Sequence, residues 1–211
     1  MPSSQYYQIN EIMDLVVRLN PRKVLDIGPG FGKYGFLCRE YLELWDGRNR
    51  YDDWQCRVDC VEAFEAYITP VHRLIYNHIY TGDALRVVPG LQEHYDLILM
   101  VDVFEHFTRE DGDRLMRSCL EKAEHVLIAT PKAVNIQENV FGNAFEQHRF
   151  EWKSRYLRAY GQTFFVPHHS TLICLAGPHA KSVGRAYLRN RFNLFLKKNF
   201  RFLRPLKILF R

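Results

Sequence analysis

Between Gln8 and Leu19 the apolar positions Ile9, Ile12, Met13, Val16 and Val17 recur three and four residues apart. That spacing predicts a helix over 8–19. Asn20-Pro21 ends it, because the residue before a proline is driven out of helical geometry. Val24 to Ile27 is apolar enough for a buried strand, and Lys33 to Leu44 reads as a helix that begins directly after a glycine-rich turn. Residues 46–55 (DGRNRYDDWQ) are polar and predict a surface loop. A second strand covers 57–62 (RVDCVE), a short helix Pro70 to Tyr76, and a brief strand Ile79 to Thr81 ends in Gly82-Asp83. Tyr95 to Asp102 (YDLILMVD) is the longest apolar strand pattern in the chain. A helix over Glu110–Lys122 and a strand over His125–Ala129 follow. After a long loop from Pro131 to about Phe150 come a helix near 153–160 and two strands, Thr163–Val166 and Thr171–Leu175, joined by PHHS.

Strands that alternate with helices predict an α/β fold, Rossmann-like and doubly wound, with a mostly parallel seven-stranded sheet covered on both faces. The last two strands break the alternation. Four residues suffice for a hairpin but not for a parallel crossover, so the sheet is expected to close with a C-terminal antiparallel hairpin. The catalytic-type domain is expected over 1–180, with a distinct tail over 181–211.

The first strand runs into VLDIGPGFGKYG, with glycines at Gly28, Gly30 and Gly32. Such spacing lets a backbone approach a ligand that side chains would exclude. A Walker phosphate loop needs Gly-Lys-Ser/Thr, and here Tyr34 follows Lys33. A dinucleotide loop needs a glycine where Lys33 stands. The motif, and the order of those behind it, resemble the class I S-adenosylmethionine (SAM) methyltransferases over about residues 20–176. The opening DIGPGFGKYGFL is similar to a bacterial group within that family directed at small molecules and glycans.

Each motif has a physical reading. Asp26 precedes the turn, where a carboxylate accepts from turn amides and attracts the cofactor's ammonium group. Gly28 and Gly30 let the backbone lie against the ligand. Glu62 ends the second strand, where an acid takes both ribose hydroxyls. The resemblance implies that Asp83, with Ala84, receives the adenine amino group. It also implies that the stretch from Asp102 to His106 (DVFEH) lines the methionine end. SAM is thus the expected cofactor.

The acceptor is less constrained. The Asn/Asp-Pro-Pro-aromatic sequence of base-directed amino methyltransferases is absent, and DVFEH resembles small-molecule enzymes. His106 is a candidate base for a hydroxyl, its ordinary pKa lying near 6.5; the other reading is that it orders its loop. In GNAFEQHRFEW, the residues Gly142, Asn143, Glu146, His148 and Trp152 form a second constellation. There Glu146 and His148 either meet the acceptor or, with Trp152, pin the loop. No metal is expected, since Thr130-Pro131-Lys132 replaces the Asp-Asn pair of metal-dependent O-methyltransferases.

Charge adds the tail. Of 29 Lys and Arg, ten lie in 181–211, a stretch without Asp or Glu; 19 basic against 24 acidic residues remain in 1–180, a net of −5. On a helical wheel Leu188, Phe192, Phe195, Leu196, Phe200, Phe202 and Leu203 share one arc, with Arg191, Lys197, Lys198, Arg201 and Arg204 opposite. A basic amphipathic helix of this kind suits an anionic membrane surface; a homodimer contact or, less so, nucleic acid are the alternatives. Five widely spaced cysteines argue for reduced thiols and a cytoplasmic protein, peripheral at the inner face of the membrane. No signal peptide or transmembrane span is read. The expectation is methyl transfer to a small-molecule, glycan- or lipid-linked oxygen. An RNA methyltransferase that grips phosphates with the tail, and a non-catalytic SAM-binding protein, are the competing readings.

Overall fold

A computed structural model describes residues 3–45, 47, 53–133 and 143–199. Helix α1 (Ile9–Leu19) buries Ile12, Met13, Leu15 and Val16, and ends at Asn20, whose left-handed φ of 49° turns the chain. Strand β1 (Lys23–Ile27) leads through the glycine turn into α2 (Lys33–Arg39), continued by a π-helical stretch over Glu40–Leu44. Then follow β2 (Arg57–Glu62), α3 (Pro70–Ile75), β3 (His78–Thr81) and α4 (Ala84–Gly90). Strand β4 (Tyr95–Val101), α5 (Arg109–Lys122) and β5 (Ala123–Pro131) complete the parallel part. The chain closes with α6 (Ser154–Leu157), β6 (Thr163–Val166), β7 (Thr171–Ala176) and α7 (Ala180–Asn199).

The sheet has seven strands in the order β3-β2-β1-β4-β5-β7-β6. Strands β1 to β5 pair in parallel, and β7 is antiparallel to both β5 and β6. The expected hairpin is present, with its second strand inserted between β5 and the first. Alternate residues of β4 feed two cores: Leu97, Leu99 and Val101 meet α1 and α2 on one face, while Ile98 and Met100 meet Leu115 and Met116 of α5 on the other. Burial on both faces explains why this strand reads as a continuous apolar run. The five cysteines are buried free thiols.

Helix α4 was not expected. Its ALRVVPG sequence is short and contains Pro89, but Asp83 caps it by accepting from the Leu85 N–H at 2.9 Å. At the other end of the chain, the charge boundary near 180 is not a packing boundary. Ala180, Gly184 and Tyr187 of α7 are buried. A Cβ on Gly184 would lie 2.2 Å from the Phe164 ring, so the helix is seated closely on β6. Arg191 reaches Glu11 of α1 at 3.3 Å. Beyond that contact Phe192, Leu194 and Phe195 are exposed. Among the described residues, no helix is long and apolar enough to cross a membrane. Phe200, Phe202, Leu203, Arg201 and Arg204 of the expected amphipathic face lie outside the described residues, as does Gly142.

Candidate active site

The strand order reverses between β1 and β4, and an α/β sheet opens a crevice at the carboxyl ends of its strands at that point. Here the crevice is a cavity of about 380 Å³, within the range of small-molecule sites. Asp26, Gly28, Gly30, Glu62, Asp83, Ala84, Asp102, His106, Glu146 and His148 all line it. The sequence distributes these residues over 123 positions; the parallel topology gathers them, because each follows or ends a strand on the same edge.

The glycine turn has a left-handed φ at Gly28 (67°), Gly30 (57°) and Gly32 (89°). Gly28 lines the cavity and has a further reason to lack a side chain. A Cβ there would sit 2.5 Å from Cγ2 of Val103, so the missing side chain admits the loop leaving β4. The turn is held by a residue the sequence reading passed over. His72 is buried, and its Nδ1 accepts the Thr69 N–H at 3.1 Å. Its Nε2–H is therefore free to donate to the Gly30 carbonyl at 2.7 Å. Asp26 is partnered differently from the expectation. It accepts from the Tyr76 hydroxyl at 2.7 Å and from the Gly35 N–H, not from the turn amides. Burial nonetheless pushes its pKa up to about 6, against the lowering effect of those two donors.

Glu62 ends β2 and accepts from the Phe64 N–H at 2.8 Å. Burial, with Glu146 nearby, pushes it up to about 7. Asp83 has two uses, since it caps α4 and lines the cavity. Asp102 is a non-glycine residue at a φ of 53°. Its carboxylate accepts from the Gln8 side chain at 2.8 Å and from the Gln5 N–H at 3.2 Å, and burial raises its pKa. Lys33 completes this corner by donating to the Ser4 carbonyl at 2.5 Å. The N-terminal segment thus closes over the β4 exit. Nothing in MPSSQYYQ has a recognisable spacing for this, so the contact was legible only in three dimensions.

Beyond Asp102 the cavity is lined by Glu105, His106 and His148, with Glu146 between them and Glu62. The His106 and His148 rings lie 5.1 Å apart. Burial lowers the His106 pKa to about 4 and raises that of Glu105 to about 8, the latter with help from Asp102. Glu105 accepts from the Thr130 hydroxyl at 2.9 Å. Its own carbonyl takes the Arg149 and Phe150 N–H groups, which fastens the loop after β5 to the loop after β4. Glu146 accepts from Asn143 at 3.3 Å, and burial raises its pKa. Trp152 is a packing residue, as one of the two sequence readings allowed. It is fully buried and donates to the Phe104 carbonyl at 2.8 Å. His148 instead faces the cavity. The sequence reading placed Glu105 within DVFEH without giving it a role.

Several buried carboxyls therefore share one crevice, three with pKa values raised to about 6, 7 and 8. Their mutual repulsion and desolvation favour a cationic ligand, whose charge would offset both. SAM carries a sulfonium and an ammonium group, and the donor set fits it.

No protein-family model and no curated protein sequence matches the chain. Solved structures do. An O-methyltransferase family protein from Burkholderia thailandensis matches with a TM-score of 0.54 at 14% identity, over 81% of this chain and 56% of that one. The N-terminal domain of EvdMO1 with SAH bound gives a TM-score of 0.59 at 8% identity, over 82% of both chains. The same domain in the presence of SAH and D-fucose gives 0.57 at 9% identity, over 83% and 84%. Monomeric WbdD gives 0.57 at 15% identity, over 83% of this chain and 42% of that one. The chain thus spans about half the length of two of these proteins. At such identities the likeness is one of fold: the seven-stranded Rossmann-like fold of the class I SAM-dependent methyltransferases.

Proposed function

We propose that the protein transfers the methyl group of SAM to a hydroxyl oxygen of a small, glycan- or lipid-linked acceptor. The observation that carries the reading is the cavity's division into two ends. Asp26, Glu62 and Asp83, at the ends of three adjacent strands, form a polar acidic cradle suited to ammonium, ribose and adenine amino groups. Glu105, His106 and His148 form a second group beside Asp102, and Glu146 stands between the two, acting on both Glu62 and Glu105. Methyl transfer from a sulfonium needs chiefly an aligned nucleophile and somewhere for its proton to go. The acceptor oxygen attacks the methyl carbon, the C–S electron pair stays on sulfur, and the hydroxyl proton leaves through the imidazole and carboxylate group. An acceptor oxygen accords with the O-methyltransferase among the structural neighbours, and a sugar hydroxyl with the D-fucose supplied to the EvdMO1 domain.

The tail's part in this reading is to hold the enzyme at an anionic membrane surface, on the cytoplasmic side. Leu188, Phe192 and Phe195 stand 44%, 60% and 55% exposed on one side of a helix without an acidic residue. An apolar patch of this kind is rarely left bare.

The test is calorimetric titration of the full chain with SAM and SAH, followed by incubation with methyl-labelled SAM and fractionated bacterial glycolipid, soluble metabolite and RNA. Label in an alkali-stable glycan or lipid methyl ether supports the reading. Label in RNA would transfer the assignment to the RNA alternative, and tight SAM binding without any labelled product to the non-catalytic one.

A further inference from the structure

We propose that Glu105, His106 and His148 bind a divalent cation of the zinc, manganese or cobalt type, held at the acceptor end of the cavity. One ligand atom from each of the three lies within 4.8 Å of the others. Around a single ion with bonds of about 2.1 Å, neighbouring ligand atoms are about 3 Å apart. To share one ion the three ligand atoms would have to draw together by rotation of these side chains. All three residues line the cavity, so the ion's remaining positions would face the acceptor.

Three further features point to a ligand set in place of three unrelated side chains. The His106 Nδ1–H donates to the Gln147 carbonyl at 3.2 Å, since a carbonyl can only accept. Metal-bound histidines are commonly oriented in this way by a backbone carbonyl, and the Asp102 carbonyl also lies against this ring. Glu105 is buried and oriented by the Thr130 hydroxyl at 2.9 Å, the type of partner that aims a ligating carboxylate. Lastly, Arg149 and Phe150 donate their N–H groups to the Glu105 carbonyl, which couples the two loops that carry the ligands.

The donor set decides the metal class. Two imidazole nitrogens and one carboxylate with open positions suit borderline first-row ions; magnesium and calcium prefer all-oxygen sites. The role of the ion rests on the methyl-transfer reading, although its binding does not. An acceptor hydroxyl coordinated at an open position would lose its proton to water more readily, a route that replaces proton transfer to the imidazoles when the ion occupies their lone pairs. Its oxygen then forms the C–O bond while the C–S bond breaks, leaving SAH, the methyl ether and one proton.

The experiment is titration of the full chain, stripped with chelator, with Mn²⁺ followed by electron paramagnetic resonance and with Co²⁺ followed by visible absorption. One ion per chain is expected, with affinity reduced at least tenfold in His148→Asn, His106→Asn and Glu105→Gln. His148→Asn sits on a loop, so it keeps the test open should the buried Glu105→Gln fail to fold. SAH affinity is measured on the same samples, together with Glu62→Gln, which should weaken SAH and leave the ion. Absence of a stoichiometric site, or binding undiminished in both histidine variants, overturns the inference while SAH binding leaves the methyl-transfer reading standing. Ion binding without any SAH binding would do the reverse.

Discussion

Replacing Glu62 by Gln should move stability and cofactor affinity in opposite directions. The side chain is 5% exposed, and its pKa rises from 4.5 to about 7, chiefly through burial. At 1.36 kcal/mol per unit, the ionised form costs the empty protein up to about 3 kcal/mol. A carboxyl whose folded pKa is raised contributes its stability below the unfolded value, and that contribution is lost as pH climbs through the folded value. The deficit therefore opens between pH 4.5 and about 7. Glutamine is isosteric, keeps an acceptor for the Phe64 N–H and carries no charge. In the absence of ligand, E62Q should then melt several degrees above wild type at pH 8 and equal it near pH 4.5. Cofactor binding should fall. Hydrogen bonds from the two ribose hydroxyls to a charged acceptor are worth about 1.5–3 kcal/mol, and to a neutral one about 0.5–1.5. The loss corresponds to roughly ten- to a hundredfold in affinity. Because the cofactor selects the ionised form, wild-type affinity should also fall, by up to about tenfold, from pH 7 to pH 6, and E62Q should lose most of that slope; below about pH 6 protonation of Asp26 adds a slope to both proteins. Calorimetry with SAH across this pH range, beside thermal melts without ligand, reads both effects. Unchanged SAH affinity with an unchanged pH slope would refute the placement of the ribose at Glu62. A lower melting temperature at pH 8 would refute the argument from burial.

Three further outcomes follow from contacts described above. Tyr76→Phe removes the hydroxyl donor from the buried Asp26, so stability should fall by about 1–3 kcal/mol and the Asp26 pKa should rise beyond about 6, visible by carboxyl NMR titration; a pKa that stays in place would show the hydroxyl to be irrelevant. Gly112→Ala would put a Cβ 2.2 Å from the Trp152 ring, and urea unfolding should show a loss of about 1–3 kcal/mol; a neutral result would mean the ring can move aside. A chain ending at 191 keeps the Tyr187 and Arg191 contacts, so it should fold and bind SAH like the full chain but fail to sediment with anionic liposomes, whereas one ending at 180 should be destabilised. Equal liposome binding by the full chain and the 1–191 chain would remove the distal tail from membrane attachment.

The amino-acid sequence determined more of the fold than of the site. Seven strand patterns, their alternation with helices and the four-residue PHHS link were enough for a parallel sheet ending in a hairpin, because buried parallel strands and short links leave few other solutions. Helix α4 escaped notice because its stability comes from the Asp83 cap and from packing, while its sequence is short and contains Pro89. That Asp26, Glu62 and Asp83 line one crevice was legible because strand ends in this topology must share one edge. What only the tertiary structure decided were the contacts between residues with no periodic relation: His72 on the Gly30 carbonyl, Tyr76 on Asp26, and Gln5 and Gln8 on Asp102. It also decided which residues join Glu105, a carboxyl with no marked spacing of its own until the loop after β5 brings His148 beside it. Where the tail ceases to be part of the domain was likewise invisible in its charge, since Lys and Arg report only what faces water. The buried row of Ala180, Gly184 and Tyr187 appears only once β6 and α1 lie against it.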